Sequence, residues 1–261
     1  MKIALCISGE PRLYERCLQT VTSLRESCNN TDIELHVFYH FWDNITKNVA
    51  YQRYKPVLSD PIIRTYEPEY FLDLIKPSKG VCEGKDTADN DILRAFKYIE
   101  KIINDHNIIN FPSFLRCQKL RTEYEIENNV DFDLVIKTRS DIIINPLKAK
   151  TLKLLPEKHK TLLQSSVYFD NIQVRKEMLW GEPAFFTFST YSSKKLFNKP
   201  YEVILQEIIE LMFHVNKKKQ LLQVHTDHKI LPTIFSRNNI KVIAPLIRVF
   251  RDNWLLYHPK I

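Results

Sequence analysis

Phe132-Asp133-Leu134-Val135-Ile136-Lys137-Thr138-Arg139-Ser140-Asp141 is the stretch that decides the fold. Residues 132–137 form an apolar run of one strand's length, and it leads into a cation and a carboxylate two residues apart, Arg139 and Asp141. A short apolar run of this kind is the pattern of a strand covered on both faces. In open α/β sheets, ligands bind outside the carboxyl ends of such strands. A carboxylate placed there suits Mg²⁺ or Mn²⁺, ions that take one or two carboxylates plus substrate phosphates. Arg139 cannot ligate a metal, but its planar fork matches a phosphate or a carboxylate. Taken alone, the pair reads equally well as a surface ion pair.

The N-terminal third repeats this design. Residues 2–7 (KIALCI) are a second continuous apolar run, ending at Ser8-Gly9, with Pro11 placed for the first turn of a helix. Leu13, Cys17, Val21 and Leu24 recur at helical spacing, and Asn29-Asn30 closes that helix. Residues 33–39 are predicted as the next strand, which makes a strand–helix–strand unit with a right-handed crossover and a parallel pair. Its end carries His40-Phe41-Trp42-Asp43, aromatic and polar groups suited to a base or a ribose. At the first strand end, helix N–H groups suit an anion, Gly9 permits close backbone approach, and Arg12 adds a fixed charge. Each cluster alone also fits a capped helix or a turn.

Further along, prolines 56, 61, 68 and 77 punctuate the chain around a short strand predicted at 62–66, and residues 76–91 read as a loop. Helices are predicted from Asp91, with Ile92, Phe96, Ile99 and Ile103 on one face, and over 113–128, with Phe114, Cys117, Leu120 and Tyr124 buried. Beyond Pro146, strands are predicted at 162–166 and 184–189, and helices at 191–196, 201–213 and 227–238. These elements imply an α/β fold, a mostly parallel central sheet flanked by helices. It forms one domain over 1–261, with a nucleotide-binding half to about residue 145 and a second half after it that finishes the cleft.

Composition narrows the function. With 44% hydrophobic residues in 261, the chain can bury a core of ordinary size. No run reaches the roughly 18 apolar residues of a membrane span. The apolar run at the N-terminus, about six residues, is shorter than a signal-peptide core. A cytoplasmic protein is therefore expected. Five widely spaced cysteines without a CxxC pair indicate neither a disulfide framework nor a zinc knuckle. Four glycines are too few, and too scattered, for a dinucleotide fingerprint. Gly80–Thr87 (GVCEGKDT) imitates a phosphate loop, but it has three intervening residues instead of four, Asp86 where a Ser or Thr would hold magnesium, and no predicted strand before it. The net charge of +7 suits an anionic partner. No nucleic-acid module is visible, so no nucleic-acid partner is expected. The basic runs at 147–160 and 216–219 are of a kind that holds a protein peripherally at a membrane surface, and equally of a kind that is simply solvated.

In order and spacing, SGEPR at 8–12, the aromatic strand end at 40–43, CQKLRTEYEIE at 117–127 and FDLVIKTRSD at 132–141 resemble a GT-A fold glycosyltransferase. More narrowly, they are similar to the polysaccharide and lipopolysaccharide-type transferases of bacteria and large DNA viruses, over roughly residues 1–145. The resemblance implies transfer of a hexose or deoxyhexose from a nucleotide-diphosphate-sugar donor such as a UDP-sugar to a glycan or glycolipid acceptor, with Mn²⁺ or Mg²⁺. It implies that Ser8, Gly9, Arg12, His40, Trp42 and Gln118 line the donor and that Arg139 meets its diphosphate. Asp141 would be the metal ligand and His225 a second, with His258 a more distant choice. Arg139 stands at the first acidic position of the usual D-x-D motif. On the acceptor side, Asp227 is the expected general base and Glu182, in WGEPAFF, the second choice; Thr226 and Asp227 also read as an ordinary helix cap. Two other classes remain open on sequence grounds: a sugar-phosphate nucleotidyltransferase, and a non-catalytic polyanion-binding protein.

Breaking a sugar–diphosphate bond builds negative charge on the departing phosphate, which a cation held there stabilises more in the transition state than in the ground state. Asp141→Ala should lose about 10²–10³ in turnover with an unchanged circular-dichroism spectrum; near-normal transfer or donor hydrolysis by that variant would remove Asp141 from the site.

Overall fold

The computed structural model describes residues 1–9, 14–42, 68–83, 110–139, 152, 166–169, 172–175, 178–181, 186–189, 203, 206–207, 210 and 241–243. Four strands run parallel on one side of the sheet: β1 (Lys2–Gly9), β2 (Glu34–Trp42), β3 (Lys79–Glu83) and β4 (Leu134–Thr138). The C-terminal half adds β5 (Ser166–Phe169), β8 (Phe186–Ser189) and β9 (Lys241–Ile243) to the same sheet. Its order is β3-β2-β1-β4-β8-β5-β9, with β8 antiparallel to both its neighbours. A separate hairpin pairs β6 (Ile172–Arg175) with β7 (Met178–Gly181). The α/β class and the largely parallel sheet expected from the sequence are therefore present.

Period-two alternation gives the sheet two different faces. Ile3, Leu5 and Ile7 of β1 join Val37, Tyr39 and Phe41 of β2 and Leu134 and Ile136 of β4 on one of them. Helix α1 (Tyr14–Cys28) lays Cys17, Val21 and Leu24 on that face, as the helical spacing predicted, and α2 (Pro68–Ile75) adds Ile75. Each such aliphatic side chain, fully buried, stabilises the fold by about 1.5–3 kcal/mol. On the other face lies α3 (Asn110–Asn128), which begins three residues before the predicted start, with Pro112 in its first turn where no N–H is needed. Phe114, Cys117 and Leu120 are buried there as expected, and Tyr124 stacks on Phe132. The same stripe also buries Ser113, Gln118, Arg121 and Glu125, which the apolar spacing did not reveal. Arg121 and Glu125, one turn apart, pair at 2.6 Å; removing one partner of such a buried pair typically costs about 3–5 kcal/mol.

The loop expected over 76–91 is a correction. Lys79–Glu83 is a strand, because the outer edge of β2 offers unpaired backbone groups and α3 holds both ends of the segment. Lys79 reaches Glu123 and Glu127 of α3 at 3.2 and 2.7 Å, and Glu83 meets Arg116 at 3.2 Å. Gly80 is the residue that lets the strand close up, since a Cβ there would lie 2.1 Å from the Tyr39 ring. Gly80–Glu83, the first half of the GVCEGKDT stretch, lie inside β3 and pair with β2, which adds to the case against a phosphate loop. Other expectations shift. β2 runs on to Trp42, past the predicted end at 39; of the strand expected at 162–166 only residue 166 is described, and it opens β5 (Ser166–Phe169); of that expected at 184–189 the described residues, Phe186–Ser189, are strand. Helix α2, the β6–β7 hairpin and β9 were not anticipated. Residues 203, 206, 207 and 210 are helical, within the predicted 201–213. The elements predicted at 62–66, from Asp91, at 191–196 and at 227–238 lie outside the described residues.

Each of α1, α2 and α3 is followed by a residue with positive φ that is not glycine: Asn30 (57°), Lys76 (41°) and Asn129 (50°). After α3 the Schellman pattern is complete, with Val130 N–H on the Glu125 carbonyl and Asn129 N–H on that of Ile126. Asparagine tolerates this conformation; lysine does so at a cost. Arg25, in the last turn of α1, offsets that cost by donating to the carbonyls of Leu74, Ile75 and Lys76 at the end of α2. A charged hydrogen bond of this kind contributes about 1.5–3 kcal/mol. Arg25→Met, which keeps the aliphatic stem, should lower stability in urea by about 1–3 kcal/mol; a change under 0.5 kcal/mol would mean that water caps α2 equally well.

Candidate functional site

Three of the strand ends singled out in the sequence meet at one edge of the sheet. Ser8 pairs with His40 and Gly9 with Phe41, while Ile7 pairs with Thr138 on the opposite side. One further step along β4 sets Arg139 level with Ser8. In-register residues of parallel strands share a face, so Arg139, Ser8 and His40 form one row, and Glu83 of β3, paired with Trp42, lies on that face two residues beyond it. All are on the α3 side, because Ser113 near the start of α3 bonds both His40 and Gly9. Gly9 has φ 119°, a conformation that a residue with a Cβ adopts only under strain, and this fixes the direction in which the chain leaves β1.

The residues take different parts in this edge. Ser8 is 2% exposed, and its Oγ has no hydrogen-bond partner among the described residues. Gln118 is buried as well; its Oε1 accepts from Arg121 Nε at 3.0 Å, and its Nε2 has no partner among the described residues. Gln118 lies five residues beyond Ser113, about 7.5 Å further from the edge at ~1.5 Å per residue. Leaving a buried polar group unpaired costs about 1–3 kcal/mol, which makes these two atoms the natural places for an added partner to bind. Arg139 is half-buried, one residue beyond the last paired position of β4.

His40 and Trp42 differ from what the sequence suggested. Both are fully enclosed, with the His40 ring edge-on to the Trp42 indole at 4.6 Å. His40 Nδ1 lies 2.7 Å from Ser113 Oγ and Nε2 lies 2.9 Å from Glu83 Oε1, so neither ring nitrogen is open to a ligand. Gly9 likewise donates its N–H to Ser113 Oγ at 2.7 Å rather than holding it ready for an anion. Ser113, Glu83 and Arg116 were missed in the sequence. The signals for them were slight: a serine one residue after a helix-starting proline, and the Lys-x-Val-x-Glu alternation of 79–83. Arg12, Asp141, Glu182, Asp227 and His225 lie outside the described residues, as does His258. Among the described residues, no three His, Cys, Asp or Glu side chains group as a metal site.

Burial is the largest influence on His40 and pulls its pKa below the ordinary 6.5, against the opposing pull of Glu83. Burial would raise Glu83, but the His40 hydrogen bond and the Arg116 charge outweigh it, and the net shift is below the ordinary 4.5. The two are consistent for a neutral imidazole that donates Nε2–H to an ionised carboxylate, with Arg116 supplying the positive charge.

No protein-family model and no curated protein matches the chain. Among solved structures, it is similar to the galactosyltransferase LgtC in complex with donor and acceptor sugar analogs, at 11% identity over 94% of this chain and 73% of that one, with a TM-score of 0.46. Mouse xyloside xylosyltransferase 1 in its apo form is similar at 10% identity over 94% of this chain and 85% of that one, with a TM-score of 0.43. The 4-diphosphocytidyl-2C-methyl-D-erythritol synthase of Anaerococcus prevotii DSM 20548 follows at 10% identity over 96% and 91%, with a TM-score of 0.33. Likeness at this level is one of outline only.

On each of His40 and Glu83 the native state holds protons less readily than the unfolded chain does. Their stabilisation is therefore full above pH 6.5, falls as His40 is driven toward its lowered pKa, and falls again below 4.5 through Glu83. The melting temperature should drop between pH 7 and pH 5, and His40→Gln should flatten that slope; an unaltered slope would take His40 out of the linkage.

Proposed function

We propose that this protein is a GT-A-type glycosyltransferase that moves a sugar from a nucleotide-diphosphate-sugar donor to a glycan or glycolipid acceptor. One observation carries the proposal: β1 and β4 are adjacent and parallel, so Ser8-Gly9 and Thr138-Arg139, the described starts of SGEPR and TRSD, stand side by side at the carboxyl edge of the sheet. Had β4 lain at a far position in the sheet, the two motifs could not serve one ligand. Ser8, with its unpartnered buried hydroxyl, and Arg139, level with it, are the described residues nearest to that role.

In the proposed reaction the bond from the sugar's anomeric carbon to the donor phosphate breaks, and the nucleoside diphosphate leaves. An acceptor hydroxyl oxygen forms the new bond and gives up its proton. Arg139 and Arg12 are assigned to the charge that grows on the leaving diphosphate. For an inverting transfer, Asp227 takes the acceptor proton, with Glu182 the second choice. A divalent ion, Mn²⁺ or Mg²⁺, belongs to the proposal through Asp141 and His225, where it would supply further positive charge at the diphosphate. No step above is routed through it. Gln118 is assigned to the donor on the strength of its free amide, and the +7 chain suits the donor's charge and peripheral contact with an anionic membrane surface.

A thermal-shift panel of UDP-, GDP- and dTDP-sugars, with and without Mn²⁺, tests donor class and metal together. A donor at 100 times its Kd stabilises the native state by about 2.7 kcal/mol, so one nucleotide series should raise the melting temperature by several degrees. No shift with any of them, joined to polyanion binding that falls steeply with salt, would replace the enzyme with a binding protein. Pyrophosphate release from a sugar 1-phosphate and a nucleoside triphosphate would instead identify a nucleotidyltransferase.

A further inference from the structure

Beneath the sheet edge, four side chains from three elements share one buried network. Ser113 Oγ of α3 has three groups within bonding distance: Gly9 N–H at 2.7 Å, His40 Nδ1 at 2.7 Å and the His40 backbone carbonyl at 3.0 Å. His40 Nε2 lies 2.9 Å from Glu83 Oε1, and Arg116 Nε donates to that same oxygen at 3.2 Å. His40 and Ser113 are both 0% exposed, so water cannot stand in for a missing partner.

The order serine, histidine, carboxylate is that of a nucleophilic relay, but its chemistry here is different. An enclosed hydroxyl that already accepts a backbone N–H cannot reach a substrate. Counting protons shows what the network does instead. A hydroxyl has one hydrogen and two lone pairs. An ionised Glu83 only accepts, so Nε2 carries the ring hydrogen and Nδ1 is left bare. The bare Nδ1 at 2.7 Å then accepts the Ser113 hydrogen, with the His40 carbonyl at 3.0 Å a second acceptor for it, and Oγ keeps a lone pair for Gly9 N–H. Arg116 holds Glu83 in the ionised form that starts the sequence. The chain from Glu83 through His40 thereby orients the Ser113 hydroxyl, so that a lone pair faces the Gly9 amide. Among the described residues, the charged groups facing His40 are Glu83 from β3 and Arg116 from α3, with Arg139 and Lys137 of β4 two strands away on the same face.

We propose that Ser113, His40 and Glu83 are positioning residues of the site: they hold the Gly9 amide and so set the direction in which the chain leaves β1, ahead of Arg12 in the sequence. The link to Arg12 and a donor rests on the function proposed above; the hold on Gly9 does not. If a sugar donor binds there, its affinity depends on three side chains that never touch it.

The chain has only four glycines, so ¹⁵N-glycine labelling gives four amide signals, and Gly9 can be followed alone. In the wild-type protein at pH 7.5, ¹⁵N-histidine spectra should show His40 neutral with the hydrogen on Nε2. Ser113→Ala should speed Gly9 amide exchange by about tenfold, the loss of one ordinary hydrogen bond, and leave the other three glycines unchanged. It should also weaken binding of whichever nucleotide sugar shifts the wild-type melting temperature by about five- to tenfold. An Nδ1–H tautomer, unchanged Gly9 exchange, or unchanged affinity for a sugar the wild type binds would overturn the positioning role. If the wild type binds no nucleotide sugar, the proposed function fails, while the tautomer and the Gly9 exchange still decide the network.

Discussion

The parallel pairing of β1 with β4 is the constraint on which the rest of this molecule depends. These strands are more than a hundred residues apart in sequence, yet Ile3 through Ile7 lie in register with Leu134 through Thr138. The pairing buries apolar side chains on the α1 face and aligns two polar strand ends at one edge. A slip of one residue would turn Ile136 and Leu134 away from the α1 core and point Lys137 into it. Hydrophobic burial thus fixes the register, and the register places Arg139 beside Ser8.

The two faces of the sheet do different work. Against α1 and α2 the contacts are aliphatic and aromatic, and they supply cohesion without direction. Against α3 the sheet presents Cys6, Ser8, Lys137, His40 and Glu83, and the helix answers with Ser113, Arg116, Gln118 and Arg121. Polar contacts of this kind contribute little net energy each, but they are directional and cannot be satisfied in a shifted arrangement. A helix held by them has one position on the sheet. That matters here, because the start of α3 lies at the same edge as the strand ends and shares a hydrogen bond with Gly9.

Much of this was legible in the letters. The apolar run at 2–7 is strand, the run at 132–137 supplies β4 from Leu134 on to Thr138, Cys17, Val21 and Leu24 are the buried stripe of a helix, and Asn29-Asn30 closes it with Asn30 at positive φ. β3 was not legible, because a five-residue segment with a glycine and two charges has no pattern of its own. It becomes a strand only where β2 offers an edge, Tyr39 leaves room for Gly80, and α3 supplies partners for Lys79 and Glu83. The fate of His40 was hidden for the same reason. A histidine at a strand end looks like a ligand contact until the helix that covers it is in place.

Local sequence determined that β1, β2 and β4 are strands and that α1 and α3 are helices, since apolar periodicity and capping residues act within a few residues of themselves. It also determined which types of side chain stand at the strand ends. Tertiary structure alone decided which of those ends are neighbours, which polar groups are enclosed and which remain without a partner. Those outcomes depend on contacts between residues dozens to more than a hundred positions apart, and no short window of sequence contains both sides of such a contact.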